Sequence, residues 1–310
     1  MKVFITGAAG FIGGSIAAAL VRAGHQVTGL VRDAAQLPEL ESIGVRGVLS
    51  TLNDSALLIE QAKAADAVIN AASSDHRGAV EALIEGLAGS GKVFLHTSGS
   101  SIVGDASGGE GTDRIYAEDH LPQPTADKAG RVAIDRLVLD SAARGVRPAV
   151  LCNTLIYGHG ALPRDSVQLP RLLKQARKSG VVRHVGRGLN IWSNVHIDDV
   201  TDLYLLALEK TPAGTFYFVE SGEAAFRDIT AAIARALSLP APQDWPLEEA
   251  IKEWGYEMAS YGLGSNSRVR GARARTLLGW QPHRPAVFEW IAGEMLAEPR
   301  RGAAAAPPAC

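Results

Sequence analysis

The apolar positions of this chain fall into short solid runs alternating with stretches of helical period. Val3–Ile5, Gln26–Val31, Val45–Leu49, Ala67–Asn70, Val93–His96 and Arg147–Leu151 read as strands. Between the first two, Phe11, Ile12, Ile16, Ala19 and Leu20 recur at helical spacing up to Gly24. Further helices are predicted near residues 55–64, 77–87 and 126–143. Strands alternating with helices imply an α/β fold: a doubly wound parallel sheet with helices on both faces. After Tyr157 the rhythm changes. Helices are expected near 166–179, 199–209, 229–237, 247–257 and 286–296, with one more strand at Thr215–Val219.

The first strand runs into a glycine turn, Thr6-Gly7-Ala8-Ala9-Gly10-Phe11-Ile12-Gly13. Strand, glycine turn and helix make a phosphate-binding element. The glycines let backbone approach a pyrophosphate, and the N–H groups and dipole of the new helix meet its charge. Gly7, Ala9, Gly10, Phe11, Ile12 and Gly13 are therefore cofactor-binding candidates in a Rossmann domain spanning 1–157. Residues 158–300 read as a smaller, mostly helical substrate lobe, with strand elements of 182–220 able to return to the sheet. The Ala- and Pro-rich residues 301–310 read as a disordered tail.

The residue ending the second strand separates NAD from NADP. A carboxylate there accepts the ribose 2′-hydroxyl, whereas an arginine meets a 2′-phosphate. Here Val31 takes the carboxylate's place and Arg32 follows, which favours NADP; Asp33 keeps NAD as the alternative. Thr51 and Leu52, after the third strand, are candidates for the adenine pocket. Ala71 and Ala72, after the fourth, let the backbone pass close to a ribose.

Composition narrows the rest. A net charge of −2 gives no broad case for nucleic acid. No run reaches the ~18 apolar residues that span a bilayer. The first strand begins at Lys2, which leaves no room for a cleavable signal, and the two cysteines, Cys152 and Cys310, form no framework. The expectation is a cytoplasmic protein with a small-molecule substrate and no metal, and with a homodimer possible.

Several segments resemble the extended or atypical short-chain dehydrogenase/reductases, the NAD-dependent epimerase/dehydratase group. They are the glycine turn, Asn70-Ala71-Ala72, His96-Thr97-Ser98-Gly99-Ser100-Ser101-Ile102-Val103-Gly104, Glu118-Asp119, Ile156-Tyr157-Gly158, Val195-His196-Ile197-Asp198-Asp199-Val200 and Leu278-Gly279-Trp280-Gln281-Pro282. The resemblance implies catalysis by a Ser/Thr with a Tyr-x-x-x-Lys pair. The ammonium lowers the phenol pKa, and the lysine also holds the nicotinamide ribose.

This chain departs there. If Asp135 matches the acidic residue after the lysine, Asp127 replaces the tyrosine and Arg131 the lysine; if Lys128 is the lysine, the tyrosine falls on Pro124. Neither alignment supplies a phenol. Lys128 and Arg131 remain candidates to hold the ribose. The family serine falls on Gly99, so Ser98 and Ser100 bracket it as hydroxyl donors, and Tyr157, ahead of Tyr116, is the nearest candidate acid. Ser166, Arg171 and Trp192 are further cleft candidates, and Asp198 or Asp199 is expected to cap the following helix.

The leading expectation is an NADP(H)-dependent oxidoreductase acting on a small-molecule carbonyl or alcohol. A sugar-nucleotide epimerase or dehydratase holding NAD, and an NADP(H)-binding redox sensor with little turnover, are the alternatives.

Overall fold

Successive residues of the apolar runs pack against opposite faces of one sheet. Val3 and Ile5 enter one core while Phe4 enters the other; Ala67 and Ile69 part from Val68, and Val93 and Leu95 from Phe94, in the same way. Strands buried on both sides carry continuous apolar sequence, which is why these runs lack polar alternation. The computed structural model describes residues 1–297, and the expected tail at 301–310 lies outside the described residues.

In chain order the strands are β1 (Lys2–Thr6), β2 (Gln26–Val31), β3 (Arg46–Leu49), β4 (Ala67–Asn70), β5 (Val93–Gly99), β6 (Tyr116–Ala117), β7 (Arg147–Asn153), β8 (Leu155–Tyr157), β9 (Arg183–Val185), β10 (Ile191–His196), β11 (Thr215–Val219), β12 (Gly222–Ala225), β13 (Gln243–Trp245) and β14 (Val269–Arg270). The helices are α1 (Phe11–Arg22), α2 (Leu37–Ser42), α3 (Ser55–Ala64), α4 (Arg77–Leu87), α5 (Ala126–Asp140), α6 (Leu169–Ser179), α7 (Ile197–Lys210), α8 (Phe226–Ala236), α9 (Leu247–Trp254), α10 (Arg273–Leu278) and α11 (Val287–Gly293).

The main sheet has seven strands in the order β11-β7-β5-β4-β1-β2-β3. All of its pairs are parallel. The chain winds outward from β1 through β2 and β3, then returns to the other side of β1 with β4. That reversal opens a crevice at the carboxyl ends of β1 and β4, where doubly wound sheets bind ligands. Helices α1 and α7 cover one face, with Ile16, Leu20, Leu203 and Ala207 in its core. Helices α3, α4 and α5 cover the other, with Leu58, Leu83, Ile134 and Val138.

Two strands outrun their sequence limits. Pairing of Ser98 with Cys152 and of Gly99 with Asn153 carries β5 and β7 past the expected His96 and Leu151. Helix α5 stops early: Ser141–Arg144 tightens into a 3₁₀ turn that Gly145 ends at φ +71°.

The second half shares elements with the main sheet, as the allowance for residues 182–220 anticipated. Strand β11 pairs with β7 at the edge of the main sheet, and α7 packs on α1. Buried Trp280 donates its indole N–H to the Asp199 carbonyl at 2.9 Å, fastening the segment after α10 to α7. The remainder has a core of its own around Leu169, Trp192, Phe226, Ile233 and Trp290. It also contains a three-stranded sheet, β12-β10-β8, and a β13-β9 pair. Neither expected aspartate caps α7. His196 does so, its Nδ1 accepting from the Asp198 N–H at 3.1 Å, while Asp199 is buried and takes the backbone N–H groups of His283 and Arg284.

Candidate active site

The glycine turn is built by close contacts between backbones. Gly7 sits at φ +73°, and a Cβ there would lie 2.6 Å from the carbonyl oxygen of Ala71. A Cβ on Gly13 would lie 2.2 Å from the Gly7 carbonyl oxygen. The turn therefore folds flat against the start of α1 and the exit of β4. Gly10 ends the turn in extended conformation; no side chain caps α1, and its first turn holds no carboxylate. Its opening N–H groups are left for a ligand. Close backbone, an uncapped helix start and no repelling charge fit the pyrophosphate of a dinucleotide.

A cavity of about 530 Å³ opens beside this turn. Gly10, Phe11, Ile12, Ala71 and Ala72 form one end. Its floor is the end of β5, with Thr97, Ser98 and Gly99, and the 3₁₀ turn that follows, with Ser100 and Ser101; Arg131 of α5 stands beside it. Trp192, Ser166, Met258 and Gly262 from the second half close the far wall. The size suits a small molecule and the reactive end of a cofactor.

The floor hydroxyls are already oriented. Ser98 Oγ donates to Asp135 Oδ2 at 2.8 Å, and Ser100 Oγ accepts from Ser267 Oγ at 2.7 Å. Thr97 Oγ1 lies 2.7 Å from the Tyr204 hydroxyl. Arg131 grips Asp75 with two nitrogens, Nε to Oδ1 at 2.9 Å and Nη2 to Oδ2 at 2.6 Å, and donates Nη1 to Ser101 Oγ at 2.9 Å. This guanidinium holds the Asp75 carboxyl below the usual carboxylate range. Beneath the floor, burial raises Asp135 to about 7 and lowers His96 to about 4.

Asp127, at one of the two possible tyrosine positions, is exposed and engaged elsewhere. Its Oδ2 accepts from the Tyr261 hydroxyl at 2.8 Å and from the Tyr256 hydroxyl at 3.0 Å. Lys128 is buried behind the cavity wall and does not itself line it. Its ammonium pairs with Glu257 and lies 4.2 Å from the Tyr261 ring centroid. The start of α5 thus fastens the segment carrying Met258 and Gly262.

The candidates divide accordingly. Gly10, Phe11, Ile12, Ala71, Ala72, Ser98, Ser100, Arg131, Ser166 and Trp192 line the cavity. Gly7, Ala9 and Gly13 shape the turn behind it. Tyr157 does not face the cleft: its phenol donates to the Pro285 carbonyl at 2.7 Å, its ring packs against His196 and Trp290, and burial pushes its pKa up. Of this strand it is Ile156, the residue before Tyr157, that lines the cavity. Arg171 folds back onto the Val167 carbonyl. Thr51 is exposed, and Leu52 packs against the core under α3. Arg32 is exposed past β2, while Asp33 caps the next turn by accepting from the Ala35 N–H at 2.9 Å.

Sequence reading missed Asp75, His96 and the Glu257–Gly262 segment, and gave Asp135 no role in the cleft. Asp135 carried a signal: it lies on the same helical stripe as the apolar Ile134 and Val138 and is buried with them. A carboxylate on a core-facing stripe needs a partner.

A sequence model described as the NAD dependent epimerase/dehydratase family matches residues 3–219. The chain belongs to this family. It is 31% identical to oxidase ucsJ of Acremonium sp, covering 92% of this chain and 93% of that protein. It is 29% identical to a 2-alkyl-3-oxoalkanoate reductase of Stenotrophomonas maltophilia (strain K279a), covering 72% of this chain and 71% of that one. Among solved structures, MoeE5 in complex with UDP-glucuronic acid and NAD has a TM-score of 0.74 at 23% identity, covering 94% of this chain and 97% of the other; the two share the doubly wound fold. The chain is an enzyme of the NAD(P)-dependent oxidoreductase type. Among the described residues, no helix is long and apolar enough to cross a membrane.

Proposed function

We propose that this enzyme uses NADP(H) to interconvert the carbonyl and alcohol of a small molecule. The observation that carries the reading is one continuous cavity joining the phosphate turn to the hydroxyls of β5. A pyrophosphate on the N–H groups of Phe11 and Ile12 would direct the rest of the cofactor along Ala71 and Ala72 toward Ser98. The nicotinamide would supply hydride chemistry. The chain's own residues orient the substrate oxygen: the Ser98 hydroxyl faces it, and Trp192, Met258 and Ile156 exclude water around it.

Exposed Arg32 supports NADP, because Asp33 is occupied as a turn cap and Arg32 has no ion-pair partner among the described residues. The relative named as a 2-alkyl-3-oxoalkanoate reductase supports a ketone as the oxidised substrate. The epimerase reading is weaker here, because it relies on a phenol paired with lysine. Asp127 is exposed, and Lys128 is paired with Glu257.

Oxidation of NADPH, followed at 340 nm across aldehydes, ketones and β-keto acids, tests this. Turnover of a carbonyl, with NADPH preferred over NADH, is expected. Purification with tightly held NAD, together with conversion of a sugar nucleotide, would overturn it in favour of epimerase chemistry.

A further inference from the structure

A cleft without the family phenol still needs a group to protonate the substrate oxygen. Ser98 is the floor hydroxyl backed by a buried carboxyl. It lines the cavity on one side, and on the other its Oγ is bonded to Asp135 Oδ2 at 2.8 Å. Asp135 is 3% exposed. Its second oxygen, Oδ1, has no hydrogen-bond partner among the described residues. The buried Nε2 of His96 lies 3.6 Å from Oδ1 and is also unpartnered. Two orphaned buried polar atoms facing each other call for an explanation beyond a static tie between β5 and α5.

The far side of His96 fixes where its proton sits. Thr6 Oγ1 donates to Asn70 Oδ1 at 2.5 Å, and Asn70 Nδ2 donates to the Ser73 carbonyl at 3.3 Å. The amide nitrogen of Asn70 therefore faces His96 Nδ1, 3.0 Å away, and donates to it. A neutral imidazole so held carries its hydrogen on Nε2, aimed at Asp135 Oδ1.

We propose that Asp135 is the buried proton store of the cleft, that it passes its proton to the substrate oxygen through the Ser98 hydroxyl, and that His96 steadies the carboxylate left behind. This inference rests on the oxidoreductase reading above. In the reductive direction a dihydronicotinamide gives hydride to the carbonyl carbon and is oxidised. Ser98 donates to the ionised carboxylate. Once Asp135 Oδ2 carries the proton the bond reverses: Oδ2–H donates to Ser98 Oγ, and the Ser98 hydrogen turns to the substrate oxygen, which takes it as Ser98 takes the hydrogen of Oδ2. One O–H bond forms on the product and one is lost from Asp135. The new carboxylate faces the His96 Nε2–H across the 3.6 Å gap. Water entering after product release restores the proton along the same line. Ser98 is the catalytic residue of this scheme; Asp135 and His96 act through it.

The charged and titratable neighbours of Asp135 are His96 on β5, Cys152 on β7, Arg131 on α5 itself and Asp75 after β4. Burial dominates and raises Asp135 to about 7, the Ser98 hydrogen bond and Arg131 pull it down, and Asp75 pushes it up. His96, lowered to about 4 chiefly by burial, stays neutral. The proton therefore resides on the carboxyl near neutrality, where a general acid is most effective.

Two measurements test the proposal. The first is infrared titration of the cofactor-free protein, comparing wild type with Asp135→Asn. The expected result is a protonated-carboxyl band that disappears near pH 7 in the wild type and is missing from the variant. A wild type with no such band at pH 6 overturns the proposal whatever the activity. The second is kcat/KM with NADPH against pH. The wild type should fall above about pH 7. Ser98→Ala and Asp135→Asn should lose roughly 10²- to 10⁴-fold in kcat, with NADPH affinity and circular dichroism retained, and the Asn variant should lose the pH break. Ser98→Thr, which keeps the hydroxyl, should recover part of the loss. Variants that keep full kcat and the wild-type pH break overturn the proton line and leave the oxidoreductase reading standing. A wild type that binds NADPH and reduces no carbonyl overturns both.

Discussion

The Tyr261 hydroxyl donates to the Asp127 carboxylate at 2.8 Å, so the first turn of α5 holds the segment that walls the cleft rather than the substrate. Tyr261→Phe should loosen that segment. Backbone amides of 256–263 should exchange faster, and KM for the carbonyl substrate should rise while kcat holds, because Met258 and Gly262 wall the pocket and carry no group that gives or takes a proton. Hydrogen exchange and steady-state kinetics check both.

The neighbouring pair is asymmetric: Lys128 is buried and Glu257 is 58% exposed. Removing the carboxylate leaves an ammonium buried without a partner, whereas removing the lysine leaves a carboxylate that water can reach. Glu257→Gln should therefore lower the melting temperature more than Lys128→Met does. Equal losses would show that the pair is not the source of the effect.

Gly13→Ala places a methyl 2.2 Å from the Gly7 carbonyl oxygen, and Gly7 has no room to retreat because Ala71 lies behind it. Overpacking of this kind costs about 1–3 kcal/mol. The variant should melt lower and lose cofactor binding, as read by differential scanning calorimetry and nucleotide titration.

Arg32→Glu exchanges a candidate partner of the 2′-phosphate for a repelling charge. A lost charge-assisted hydrogen bond amounts to about 1.5–3 kcal/mol, or roughly ten- to hundredfold in NADPH affinity. NADH affinity should hold or improve. A fall of equal size for both nucleotides would place Arg32 outside the ribose pocket.

Burial of Asp135 also links folding to pH. Its carboxyl is raised from 3.8 to about 7, so the folded chain keeps a proton that the unfolded chain releases, and stability falls as pH rises through that window. His96, lowered from 6.5 to about 4, works oppositely, adding stability as pH rises between those values. Asp135→Asn removes the first effect and leaves the second. Its melting temperature should gain on that of the wild type as pH rises from about 4.5 to 7.5. A constant difference would mean that Asp135 ionises normally.

The sheet was legible because its strands are apolar on both faces and because Gly7, Gly10 and Gly13 mark a turn that few other residues fit. The return of Thr215–Val219 to the sheet edge was legible only as an allowance, since an edge strand and a lobe strand carry the same local pattern. The cleft was half legible. Its phosphate end is written in one contiguous segment. Its chemical end is assembled from β4, β5, α5 and the 256–262 segment, and no local spacing brings Asp75 to Arg131 or Tyr261 to Asp127. Tyr157 shows the limit most plainly. Its place after a strand, at the correct end of the sheet, suggested the cleft, but side-chain direction sends its hydroxyl to Pro285.

The central claim is that the cleft binds a phosphorylated pyridine nucleotide along the glycine turn. Isothermal titration calorimetry of the purified protein with NADPH and NADH, in wild type and Gly13→Ala, tests it most directly. The account predicts one site per chain, tighter for NADPH than for NADH and lost in the alanine variant. Heat-silent titrations with both nucleotides, or binding that survives Gly13→Ala unchanged, would contradict it.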